Sequence, residues 1–232
     1  MAHAPAPAVG LVAGHETEAA QQTVAGGVRH VADGHERTAR ARTLRVPQHR
    51  LQRLLRITVA AVLGPRTRLP VAALVDFELT LTMPWRLTAD TGIDRLCHAL
   101  EAYVSRKANP FTDSIALTAM RTIYQNIRTA CAEPENRQAR EAMMLAATQG
   151  GMAFANASVT LIHGMSRPIG ALFHVPHGLS NAMLLPEVTA WSVDRAPVRY
   201  AHCARSMGIA DEAQSDTVAC AKLVEALSAL TA

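Results

Sequence analysis

Between residues 110 and 130 the apolar residues Ile115, Leu117, Met120, Ile123, Ile127 and Ala130 recur at close to helical spacing. That period puts them on one stripe of an α-helix, which must be buried against other helices or a sheet. Asn109 and Pro110 precede the stripe, and proline is pre-organised for a first helical position. The same period places Ile93, Leu96, Leu100 and Tyr103/Val104 on one face of TGIDRLCHALEAYVSRK, residues 91–107. Helical patterns return over about 137–150, 152–165, 178–191, 195–206 and 214–230. Aromatic residues are only 4% of the chain, so the core must be built from Ala, Leu, Val, Ile and Met, which favours helices over a β-sandwich. The one strand-like run is VAALVD, residues 71–76. The expectation is a mainly α domain over residues 70–232 with a single strand at its N-terminal edge.

Residues 1–69 are different. They are rich in Ala, Arg, His, Pro, Gln and Gly with little apolar periodicity, and 33–53 reads as solvated or disordered text. A short helix is expected at 51–63. Residues 1–70 hold ten arginines, no lysine and four acids, for +6, while the rest of the chain sums to −2, giving the overall +4. A nucleic-acid role for the basic part has no groove-reading motif or interleaved aromatics behind it, so nucleic acid is the less favoured partner. The four cysteines, Cys97, Cys131, Cys203 and Cys220, form no CxxC pair and read as reduced thiols of a cytoplasmic protein. The N-terminus lacks a basic segment ahead of its apolar residues, and the longest apolar run, residues 57–64, is too short to span a bilayer, so no membrane is expected.

The chemistry concentrates in two places. Asp94 and His98 are four apart on an expected helix, so they project from one face about one turn apart and can chelate one divalent ion. TLIHGMSRPIGALFHVPHG, residues 160–178, then carries His163, His174 and His177 in apolar text. His163 is expected to end or interrupt an apolar helix, ASVTLIH, and His177 to lie in the first turn of the helix that Pro176 starts. Spacing leaves two readings of these residues open. The Asp/His pair can be a surface pair and the histidines satisfied core residues. Alternatively, one carboxylate and three imidazoles make a site for Fe(II) or Zn(II), with room for a substrate oxygen. No Ser/His/Asp or Cys/His set competes.

AALVDFELTLTMP, TADTGIDRLCHALEAYVSRKANPFTD and GMAFANASVTLIHGMSRPIGALFHVPHGLSNAMLLPEV together resemble the C-terminal part of the iron-containing (group III) alcohol dehydrogenases, over roughly Val71 to Asp194. The resemblance implies a helical metal-binding domain, with Asp94, His98, His163 and His177 as the metal ligands. It implies a metal-dependent enzyme that moves hydride between a small alcohol or aldehyde and NAD(P), and it leaves a homo-oligomer open as the assembly. Many family members carry a further histidine near the nicotinamide four residues after the first of the HGM histidines. Here that position is Arg167, expected either near the cofactor or as a structural arginine at a helix end. His174 matches no family ligand and is expected to be a bystander.

The family's GGGS phosphate-binding turn and TTxGTGSE segment do not occur in this sequence, and Gly26-Gly27 lacks the strand–turn–helix context that a phosphate turn needs. The chain therefore resembles the metal-binding half, truncated at its C-terminus and lying behind an unrelated leader. Weak or absent dehydrogenase activity is expected of it alone. The rival expectation is a non-catalytic metal-binding helical remnant or pseudoenzyme.

Overall fold

The computed structural model describes residues 73–232. The arginine-rich leader, the helix expected at 51–63 and residues 71–72 lie outside the described residues. The described residues form seven α-helices: α1 (Trp85–Val104), α2 (Pro110–Ala132), α3 (Arg137–Ala157), α4 (Leu161–Phe173), α5 (His177–Ser192), α6 (Pro197–Ser206) and α7 (Asp216–Thr231). Among the described residues, the strand expected at 71–76 is reduced to an isolated bridge position at Leu74, followed by a 3-10 turn at Phe77–Thr80. An apolar run becomes a strand only where neighbours pair with it, and no ladder surrounds this one among the described residues.

The caps explain where the helices begin. Asn109 and Thr112 form a reciprocal capping box around Pro110, so α2 starts where the Asn-Pro signal puts it. Asn136 caps α3 through the N–H of Ala139, and Ser215 caps α7 through that of Val218. The first helix starts at Trp85, six residues before the expected start, because Pro84 sets its entry and the turn Thr88–Thr91 continues the helix unbroken.

Two boundaries differ from expectation in a way that matters for the site. Helix α3 runs through Gly150-Gly151 to Ala157 instead of stopping at 150. Gly150 lies against the backbone of α1, where an added Cβ would stand 3.3 Å from the Arg95 carbonyl oxygen, so close packing outweighs the glycine's poor helix propensity. The break comes later, at Ser158, whose φ of 70° is left-handed backbone. His163 therefore does not end a helix formed by ASVTLIH; it is the third residue of α4.

Helix α1 is the hub. It packs against α2, α3, α4, α5 and α6, while α2 pairs with α3 and α6 with α7. One apolar cluster runs through the molecule, with Leu96, Leu100, Met120, Ile123, Leu185, Leu223 and Leu227 all sealed from solvent. Ala99, Ala116, Ala119, Ala146 and Ala153 are also fully buried, and these small side chains let helices approach closely. Arg199 ties α6 to α1 and α2 by donating to the Tyr103 carbonyl and to Asp113. The stripes read from sequence on α1 and α2 are thus the buried faces. Among the described residues no helix is long and apolar enough to cross a membrane.

Candidate metal centre

The polar face of α1 lies next to its apolar stripe. Asp94 and His98 stand on it one turn apart, and Glu101 follows three residues later on the same face. All three are buried. Burial of so many polar groups requires partners, and α4 and α5 supply them.

Helix α4 brings His163, 1% exposed, to within 3.3 Å of Asp94 Oδ1 through its Nε2. Helix α5 brings His177, whose Nε2 lies 3.4 Å from the same oxygen and whose side chain is 47% exposed. His98 Nδ1 lies 3.5 Å from Asp94 Oδ2. Possible ligand atoms of Asp94, His98 and His163 all fall within 4.8 Å of one another. The His98 and His163 rings are 4.2 Å apart, His163 and His177 5.2 Å, and Phe154 closes over His98 at 4.3 Å. Three of the four residues are thus a buried cluster, and His177 stands at its mouth.

The approach of α5 depends on Gly178. A Cβ there would lie 2.2 Å from the backbone oxygen of Asp90 in α1, so no larger residue fits without moving one helix. The glycine of PHG is what lets the preceding histidine reach Asp94.

Two residues not picked out in the sequence complete the site. Asn181 donates from Nδ2 to Asp94 Oδ1 at 2.6 Å, and the same nitrogen is 3.3 Å from Nε2 of both His163 and His177. Glu101 accepts from the Ile162 N–H at 2.7 Å and from the Thr160 hydroxyl at 2.8 Å through Oε1, and bonds His163 Nδ1 through Oε2. A signal for both existed in the spacing. Glu101 is seven residues past Asp94, and Asn181 is four past His177, the interval that separates Asp94 from His98.

The electrostatics follow from this packing. Burial opposes ionisation of Asp94, but the His163 hydrogen bond and the charges of His98, Arg95 and His177 outweigh it and hold its pKa below the ordinary carboxylate value. Burial pushes His98 down to about 4, against the pull of Asp94, so it is a neutral imidazole at neutral pH. Burial also works against a charge on His163, but its bonds to Asp94 and Glu101 outweigh that and raise its pKa. Cys97, next to His98 in the chain, is buried and its thiol is held far above its ordinary pKa, so it offers no thiolate.

The remaining sequence-picked residues do not join the cluster. Arg167 is exposed on α4, one turn past His163, and pairs with no described residue. His174 caps the end of α4 in left-handed backbone, φ 55°, and is exposed. A left-handed cap explains a polar residue at that position better than a ligand role does.

One carboxylate and three imidazoles, gathered from three helices, thus stand together in a helical domain. The family model for the iron-containing alcohol dehydrogenases, C-terminal part, matches residues 88–232, and the chain belongs to that family. It is 41% identical to the 1,3-propanediol dehydrogenase of Klebsiella pneumoniae over 163 residues, covering 70% of this chain and 42% of that protein. It is 40% identical to the NADPH-dependent butanol dehydrogenase of Clostridium saccharobutylicum, covering 64% of this chain and 38% of that one. The crystal structure of a 1,3-propanediol oxidoreductase superposes with a TM-score of 0.65 at 42% identity, over 67% of this chain and 41% of that one. The chain spans about two fifths of the length of these relatives.

Proposed function

We propose that Asp94, His98, His163 and His177 hold one divalent ion, Fe(II) or Zn(II), and that residues 70–232 are the metal-binding part of an NAD(P)-dependent alcohol dehydrogenase. The observation that carries this reading is the convergence of those side chains on Asp94 from three helices, inside the segment that matches the family.

The residues fit such an ion. Four electron-rich atoms face one another, and the amide nitrogen of Asn181 is already drawn against three of them. The Asn181 oxygen is buried with no hydrogen-bond partner among the described residues, while its amide nitrogen is aimed at the cluster. One carboxylate with three imidazole nitrogens suits either Fe(II) or Zn(II).

A bound ion would supply Lewis acidity, favouring the alkoxide of an alcohol or polarising an aldehyde carbonyl. The chain's own residues would do the rest. Asp94, held ionised, would provide the one negative charge among the four proposed ligands. His98, held neutral, offers a lone pair at neutral pH without first losing a proton. Phe154 shields His98 from water. His177, the exposed member, marks the side from which a substrate enters. Arg167, exposed one turn beyond His163 and without a partner among the described residues, is the residue of this half proposed to meet the anionic part of the nicotinamide cofactor.

The names of the relatives point to small alcohols and their aldehydes as substrates. Four free cysteines agree with a cytoplasmic setting, which belongs to the same proposal. The metal-loaded protein should bind NADH or NADPH, read by nicotinamide fluorescence, and reduce a short aldehyde faster than its metal-free form. Metal uptake without nicotinamide binding or turnover would favour the second reading, a non-catalytic metal-binding module.

A further inference from the structure

The geometry points to Glu101 as a positioning residue that fixes the tautomer of His163 and so keeps the Nε2 lone pair of that imidazole turned to the cluster; this rests on the metal-site reading above.

The two carboxylate oxygens of Glu101 divide three donors between them. Oε1 accepts from the Ile162 backbone N–H and the Thr160 hydroxyl. Oε2 is left for His163 Nδ1. A carboxylate has no proton to give, so His163 must donate from Nδ1. In the neutral ring the proton is then on Nδ1, and Nε2 carries the lone pair that faces Asp94 Oδ1 and the Asn181 amide. Both Glu101 and His163 are 1% exposed, so water cannot substitute for either partner. Glu101 also secures the chain where it matters. Its bonds to residues 160 and 162 hold the first turn of α4, whose N-cap Thr160 makes no side-chain cap of its own. One side chain of α1 thereby sets the position of α4 and the proton location on its imidazole.

Glutamine at 101 is isosteric but has one acceptor oxygen. The backbone N–H of Ile162 cannot be anything but a donor, so it takes that oxygen. The amide NH2 then faces His163 Nδ1, which must accept, and the ring proton moves to Nε2. The nitrogen that served as a ligand becomes a donor pointing at Asp94.

The test uses the full chain, its Glu101→Gln variant, and His98→Ala as a control on the metal site itself. Zn(II) affinity is read by competition with a chromophoric chelator. The tautomer is read from the 15N shifts of labelled histidine in metal-free protein at alkaline pH, with His163 assigned by its loss in His163→Asn. The expected result is Nδ1–H at His163 in the wild type, Nε2–H in Glu101→Gln, and zinc binding weaker by about 10–100-fold in that variant, the range for outer partners of a ligating histidine. If His98→Ala lowers zinc affinity while Glu101→Gln binds like wild type with Nδ1–H retained, the role of Glu101 is overturned and the metal site stands. If His98→Ala leaves zinc affinity unchanged, the metal-site reading itself is overturned. Should Glu101→Gln not fold, the wild-type spectrum decides: an Nε2–H tautomer at His163 overturns the proposal.

Discussion

Replacing Gly178 with alanine perturbs the centre through the backbone, without touching a ligand. The added Cβ would lie 2.2 Å from the Asp90 carbonyl oxygen, 2.5 Å from its carbonyl carbon and 2.9 Å from its Cβ. The first two atoms belong to the backbone of α1 and cannot rotate away. Ordinary van der Waals contact begins at 3.4 Å, so the start of α5 must retreat by about 1 Å. His177 is the first residue of that helix and Asn181 sits one turn in. The retreat opens the 3.4 Å approach of His177 to Asp94 and the 2.6 Å bond from Asn181. Metal–ligand distances tolerate only about 0.2 Å, so His177 would leave the proposed ligand set. The cost in stability combines overpacking of about 1–3 kcal/mol with a helix-propensity gain of up to about 1 kcal/mol. Net destabilisation of roughly 1–2 kcal/mol follows, with metal affinity reduced tenfold or more as an order-of-magnitude estimate. Urea unfolding and chelator competition measure the two effects. Gly151→Ala is the control, because a Cβ there meets nothing within 4 Å, and it should be neutral or slightly stabilising. Gly178→Ala with wild-type stability and wild-type metal affinity would refute the reasoning.

Three further outcomes follow from the same structure. Metal-free protein should be most stable near pH 6.5: His98, depressed to about 4 in the fold, withdraws stability as pH falls from 6.5 toward 4, and His163, raised in the fold, withdraws it as pH climbs from 6.5 through its folded value. Urea midpoints across pH 4–8 in the presence of a chelator check this, and a flat profile contradicts it. Leu96→Ala removes a fully buried side chain of the hub helix and should cost about 2–5 kcal/mol in urea unfolding. Asn109→Ala breaks the capping box of α2 and should cost about 0.5–2 kcal/mol without changing metal affinity, since α2 contributes nothing to the centre.

The parts legible in the sequence were those in which local and tertiary demands agree. The Met120/Ile123/Ile127 stripe, the Asn109-Pro110 start and the first-turn position of His177 needed only helical period and cap chemistry. The parts not legible depended on contacts between segments distant in the chain. Gly150-Gly151 reads locally as a break, yet it is the place where α3 presses on α1. The real break, at Ser158, sits in apolar text that continues the helical pattern. VAALVD reads as a strand, but a strand exists only with partners, and of the described part only Leu74 holds a bridge position. Asp94 and His98 stood out because carboxylate and imidazole at i,i+4 suggest a ligand pair. Glu101 shares the α1 face of that pair and Asn181 lies four residues past His177 on α5, but a buried glutamate and a buried asparagine announce themselves only when their partners on the other helices are in view.

The central claim is that one ion is held by one carboxylate and three imidazoles of this chain. X-ray absorption at the metal edge of the zinc-loaded full chain tests it most directly. The account predicts one zinc per chain, three imidazole shells with nitrogen at about 2.0–2.1 Å and one carboxylate oxygen at about 2.0–2.2 Å, with imidazole scattering diminished in His163→Asn. Zinc bound with at most one imidazole, zinc bound through sulfur, or no zinc retained after buffer exchange would contradict it.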